Sequence, residues 1–172
     1  FENLERLYPG VPVAMLHTPY QEDGEITGEQ IDYMVKQLKE DVIPKMEAVS
    51  GKKMDMERLS RMMENSATSE DLLVNILQSA KHKPSPIDAY FAGVYYIGPM
   101  FTAFRGTEEA VEYYAQLNNE VQERLKLGLG PITPEGEIGE EKFRLVVEGP
   151  PNWTNFREFW KIFYDMGAVI VA

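Results

Sequence analysis

The stretch Phe143–Ala172 constrains the fold most. It opens on the apolar run Phe143-Arg-Leu-Val-Val147, turns through Glu148-Gly-Pro-Pro-Asn-Trp153 and closes on Ala168-Val-Ile-Val-Ala172. Between the two runs, Phe156, Phe159, Trp160, Phe163 and Met166 recur at helical spacing. Thr154 or Asn152 is placed to cap that helix, and Gly167 to end it. Two short apolar runs joined by one amphipathic helix read as strand–helix–strand. A crossover of this length joins parallel strands in a right-handed unit.

Val11–Leu16 is a third short apolar run, bounded by Pro9-Gly10 before and His17-Thr18-Pro19-Tyr20 after. It reads as a buried strand, with Pro12 tolerable near its start. Thr27-Gly-Glu-Gln30 matches a capping box and predicts a helix from about 28 to 49, which Pro44 should kink or end. Asp55 and Ser69 are placed to cap two further helices, 87–104 forms a nearly all-apolar helix, and Thr107 starts a fifth that ends at Gly128. Residues 128–141, rich in Gly, Pro and Glu, read as an exposed loop.

The expected architecture is therefore α/β. A small parallel, Rossmann-like sheet of about three strands carries a large helical insertion between its first and second strands. One domain spans residues 1–172, with the first strand and site loop in 1–20, the helical insertion in 21–130 and the strand–helix–strand unit in 143–172. The first residues, Phe1-Glu-Asn-Leu-Glu, and the apolar close at Ala172 lead us to expect a piece of a longer polypeptide.

Composition narrows the chemistry. The net charge of −11 argues against a nucleic-acid partner, which requires a basic face to displace counterions. No apolar run approaches the roughly 20 residues of a membrane span. With no cysteine and only His17 and His82, the chain offers no thiolate and no all-histidine metal site, so no metal ligand is assigned. G-x-G-x-x-G, Walker A, H-E-x-x-H and G-x-S-x-G motifs are all missing, which argues against a self-contained NAD enzyme, kinase, zinc protease or α/β-hydrolase.

Ligands of open parallel sheets bind beyond the carboxyl ends of the strands. That rule selects His17-Thr18-Pro19-Tyr20 and Glu148–Trp153, with a third place after Ala172. His17 is a candidate general acid or base, a role imidazole side chains often take, although a hydrogen-bonded histidine at a strand end is the more ordinary reading. Glu148 is a second proton-transfer candidate, balanced against capping of the next helix. Thr18, Tyr20, Gly149, Pro150, Asn152 and Trp153 are the neighbouring candidates for substrate or cofactor contact. Gly149 permits close approach, Pro150-Pro151 stiffens the turn, Asn152 can hold an amide and Trp153 can cover an apolar acyl group, although packing is the commoner use of a tryptophan. Tyr90, Phe91, Tyr95, Tyr96 and Phe101 read first as core. Lys81, His82, Lys83 and Arg105 are single basic groups that more often solvate than bind phosphate.

The pattern Arg144, Glu148-Gly149-Pro150, Trp153, a helix, then Gly167-Ala168-Val169 resembles the benzoyl-CoA reductase and 2-hydroxyacyl-CoA dehydratase family. His17-Thr18-Pro19-Tyr20, the Ser50-Gly51 break and the helix closing on Gly128 extend the likeness over most of the chain. The Glu-Gly-Pro-Pro-Asn-Trp form is most similar to the B-type subunits of ATP-dependent benzoyl-CoA reductases. The resemblance implies a cytoplasmic subunit that holds a [4Fe–4S] cluster through cysteines outside this chain. It also implies a homologous reductase subunit as partner, an aryl-CoA substrate, an ATPase that delivers low-potential electrons, and ferredoxin as donor. The aromatic ring would be reduced to a cyclohexadiene, and this piece alone would be inactive. A 2-hydroxyacyl-CoA dehydratase subunit is the close alternative, and a non-catalytic α/β binding or scaffold module the distant one.

Overall fold

The computed structural model describes residues 2–20, 24–92, 98, 104–133, 136–150 and 152–172. The chain divides into two compact units, 1–56 and 57–172.

The first unit is built on the capping box. The Thr27 hydroxyl accepts the Gln30 N–H at 3.3 Å, and Gln30 Oε1 accepts the Thr27 N–H at 3.0 Å, so two otherwise unpaired donors are satisfied at the start of α2 (Gly28–Gln37). A short helix, α1 (Glu2–Leu7), precedes it. The expected single helix to 49 is interrupted by a π-helical turn over Leu38–Val42, after which α3 (Ile43–Ser50) runs to Gly51. Pro44 explains the interruption. It has no N–H for the Glu40 carbonyl, and its ring would crowd that carbonyl, so the backbone widens by one residue just before it.

Val11–Leu16 does not form the expected first strand. It forms no strand, has no ladder partner among the described residues and is mostly exposed rather than buried. Helix side chains instead meet one of its carbonyls and the backbone of His17 just beyond it. Lys45 Nζ donates to the Val13 carbonyl at 2.8 Å, and the Gln37 carboxamide takes both backbone groups of His17. Apolar composition marked the segment as a buried strand but could not supply a neighbouring strand to pair with it.

In the second unit, α4 (Met56–Gln78) is one 23-residue helix where two were expected. Nothing between Met56 and Gln78 is Gly or Pro, so no residue forces a break. Ser69, expected as a cap, lies mid-helix and fully buried. A 3₁₀ turn, Ser79–Lys81, leads to a bend and to α5 (Ala89–Phe91). The rest of the expected apolar helix, including Tyr95, Tyr96 and Phe101, lies outside the described residues. Thr107 caps α6 (Glu108–Leu127) through the Ala110 N–H at 3.2 Å, and Gly128 ends it at φ 65°, both as the sequence predicts. Leu73, Ile76 and Ala80 pack with Ile87, Tyr114 and Val121 into one core.

The segment after α6 is more ordered than its composition suggests. β1 (Ile132–Thr133) and β2 (Gly136–Glu137) pair antiparallel, and Pro131, Thr133, Ile138 and Glu141 are buried. Arg124, held against the Gly130 carbonyl, reaches Glu137 at 3.0 Å and ties this hairpin to α6.

The strand–helix–strand unit forms as expected. β3 (Phe143–Leu145) and β4 (Ala168–Ile170) are parallel, with Phe143 opposite Ala168 and Leu145 opposite Ile170, and α7 (Phe156–Asp165) connects them. Trp160, only 1 % exposed, anchors α7 in a second core with Tyr90, Phe91 and Ile170. Met166, expected on the same face, is exposed because it has already left the helix. The fold is thus α/β with a large helical segment, and its parallel sheet has two strands among the described residues rather than about three.

Candidate functional site

The parallel pair continues past β3. Val147 donates to the Ala172 carbonyl at 2.9 Å, which carries the backbone straight into Glu148–Trp153. Gly149 makes the turn at φ 113°, a conformation that L side chains rarely adopt. Glu148, Gly149, Pro150, Asn152 and Trp153 are all exposed, so the turn presents its groups outward at the strand's carboxyl end.

Asn152 is the pivot. Its N–H donates to the Tyr90 hydroxyl at 3.2 Å, and its Oδ1 accepts the Asn155 N–H at 3.4 Å. The N-cap of α7 is therefore Asn155, which makes no side-chain cap bond. Neither Asn152 nor Thr154 holds that position, although Asn152 serves the helix entry from outside it. Three rings then align. Tyr90 stacks on Phe156 at 4.5 Å and 18°, and Phe156 lies nearly parallel to Trp153 at 6.1 Å and 15°. Trp153 ends this row with 64 % of its surface open.

Asp88 fixes the base of the row. It is 2 % exposed, caps α5, and accepts the N–H groups of Tyr90 at 3.0 Å and Phe91 at 3.4 Å through Oδ1. Oδ2 accepts the Ile170 N–H of β4 at 3.2 Å. Burial pushes its carboxyl pKa up, while these N–H groups partly offset the rise. The Trp160 indole N–H lies near enough to favour the charged form, without closing a hydrogen bond of normal geometry. A second buried carboxylate, Glu141, accepts the Ser85 N–H and an Arg144 N–H, each at 2.6 Å. Arg144 also donates to the carbonyls of His82 (2.8 Å) and Ala80. It is thereby committed to holding the 80–85 bend against β3. With Lys81, Leu77, Ile87, Val171 and Ala172 it lines a cavity of about 550 Å³, at the third place selected by the carboxyl-end rule. Arg105 is likewise engaged, with Glu70 at 2.6 Å.

In the first unit, Thr18 and Tyr20 line a cavity of about 640 Å³ with Ile26, Ile31, Met34 and Val35. Gln30 Nε2 holds the Tyr20 carbonyl at 3.2 Å. Gln37 clasps His17, accepting its N–H and donating to its carbonyl, both at 2.9 Å, and leaves the exposed imidazole outside the clasp. His17, Thr18 and Tyr20 are thus gathered in the first unit, and Glu148, Gly149, Pro150, Asn152 and Trp153 in the second. Sequence reasoning missed Tyr90 and Asp88 as supports of the turn. An Asp one residue before an apolar helix is the available signal for Asp88. Nothing local marks the Tyr90 hydroxyl as a partner of residue 152.

Among the described residues no three His, Asp or Glu side chains converge as metal ligands, and the chain has no cysteine. Its donor set does not fit an iron–sulfur cluster.

Known proteins resemble this chain in sequence. The family profile "2-hydroxyglutaryl-CoA dehydratase, D-component" matches residues 1–172. The B-type subunit of benzoyl-CoA reductase from Thauera aromatica is 64 % identical over 172 residues, which are 100 % of this chain and 40 % of that protein. The alpha subunit of (R)-2-hydroxyisocaproyl-CoA dehydratase of Clostridioides difficile is 30 % identical over 154 residues, 89 % of this chain and 36 % of that protein. The alpha subunit of (R)-phenyllactyl-CoA dehydratase of Clostridium sporogenes is 30 % identical over 164 residues, 94 % of this chain and 38 % of that protein. The chain spans about two fifths of the length of these relatives.

Proposed function

This chain belongs to the 2-hydroxyglutaryl-CoA dehydratase D-component family, and from that premise we propose that it is part of a benzoyl-CoA reductase-type subunit. The whole enzyme would add two electrons and two protons to the ring of benzoyl-CoA, giving a cyclohexadiene-carboxyl-CoA. The observation that carries this reading is the identity of 64 % to a benzoyl-CoA reductase subunit, against 30 % to each of the two dehydratase subunits.

The part played by this stretch is a portion of the site wall. Glu148 and the open face of Trp153 stand at the carboxyl end of β3, where the turn is held from below by Tyr90. An indole offers a flat apolar surface to an aryl group, and an exposed carboxylate can hold or pass a proton. His17 is a second proton-bearing candidate. A [4Fe–4S] cluster would supply single low-potential electrons. With no thiolate in this chain, its ligands belong to the remainder of the full-length subunit. A homologous subunit, an ATPase activator and ferredoxin complete the proposed assembly, in the cytoplasm. No described helix is long and apolar enough to cross a membrane.

The test uses the intact complex, purified without oxygen, with ATP and reductant. Turnover of benzoyl-CoA is compared with dehydration of 2-hydroxyacyl-CoA esters. Preference for benzoyl-CoA supports the reading. Dehydration with no ring reduction replaces it by the dehydratase reading.

A further inference from the structure

We propose that Tyr90 is a positioning residue for the Glu148–Trp153 turn and sets how that turn meets the substrate. The inference rests on the reading of the turn as a wall of the site.

Three independent contacts point to it. The Tyr90 hydroxyl accepts the Asn152 N–H at 3.2 Å, across 62 residues of sequence. Its ring stacks on Phe156, which in turn lies parallel to Trp153, so the plane of the exposed indole is referred back to Tyr90. Tyr90 itself is only 5 % exposed, and its backbone is held by the buried carboxylate of Asp88, which also binds β4 at Ile170. This long-range tether of the turn is therefore fixed to the same buried carboxylate as the strand whose partner it extends. A side chain buried among rings has no need of a hydroxyl for packing. That oxygen is placed where it orders a backbone N–H of an otherwise exposed turn, and ordering a binding loop in advance removes an entropy cost from ligand binding.

Tyr90→Phe tests this, because it keeps all ring contacts and removes one oxygen. In the full-length subunit within its complex, hydrogen exchange at Asn152 should accelerate roughly fivefold, the value of one ordinary hydrogen bond, with little change in melting temperature. The KM for benzoyl-CoA should rise by about the same factor with kcat nearly unchanged, because a wall contact present in both ground and transition states affects binding alone. Unchanged exchange at Asn152 overturns the tether. Faster exchange with unaltered KM and kcat overturns its role toward substrate and leaves a purely structural bond. If the wild-type complex does not reduce benzoyl-CoA at all, the proposed function fails, and the same KM comparison is made with the 2-hydroxyacyl-CoA that is turned over.

Discussion

Asp88 Oδ2 accepts the Ile170 N–H at 3.2 Å, joining the start of α5 to the end of β4 across 82 residues of sequence. With Oδ1 serving Tyr90 and Phe91, one buried carboxylate satisfies three backbone donors. Asp88→Ala leaves all three unpaired in the core and should cost about 3 kcal/mol or more of unfolding free energy. The pH dependence follows from the raised pKa. The folded state keeps the proton more tightly than the unfolded chain, so this group's contribution is full below about pH 4 and declines as pH rises through the folded value. Denaturant titration of wild type and Asp88→Ala between acid and neutral pH should show the gap narrowing as pH rises. A gap that widens with pH would contradict the assignment.

Gly167 ends α7 at φ 73°, and a Cβ there would lie 2.9 Å from the Glu140 carbonyl oxygen. Gly128 ends α6 at φ 65° with nothing within 4 Å of a built Cβ. Gly128→Ala should therefore cost only left-handed strain, about 1 kcal/mol, whereas Gly167→Ala should cost about 2–3 kcal/mol because backbone must also move. Chemical denaturation of the two variants checks the order. Equal losses would show that the Glu140 backbone yields freely.

Which parts of this fold were legible in the sequence follows from the range of the interactions that set them. Thr27 with Gln30, Thr107 and Gly128 carry their own instructions within a few residues and form as read; the strand–helix–strand of Phe143–Ala172 forms too, but with Asn155 rather than Asn152 or Thr154 at the helix N-cap. Pro44 announced a disturbance, and the structure shows its form, a widened turn at Leu38–Val42. Ser69 misled because the same side chain that caps a helix is tolerated inside one when nothing else breaks it. Val11–Leu16 misled because a strand needs a neighbour, and among the described residues it has none; Lys45 meets the Val13 carbonyl and Gln37 the backbone of His17 just beyond it. The exposed turn, proposed as part of the site, was selected by the strand-end rule. Its supports, Tyr90 and Asp88, were not, since each acts over 60 or more residues.

Gln37 grips both backbone groups of His17, one bond each way at 2.9 Å. Gln37→Leu preserves bulk on α2 but removes the grip. Amide exchange at His17 should then quicken roughly tenfold, since both bonds hold the same residue, while exchange within α2 stays as it was. Unchanged protection at His17 would show that the loop is ordered by something other than this side chain.

As proposed, this chain is part of a subunit of a ring-reducing enzyme. Mass analysis of the products formed from benzoyl-CoA by the intact complex, with ATP and a low-potential donor, tests it most directly. The expected product is a thioester heavier by two hydrogens, its formation weakened when Trp153→Ala is introduced. Unaltered benzoyl-CoA, alongside loss of water from an offered 2-hydroxyacyl-CoA, would contradict it.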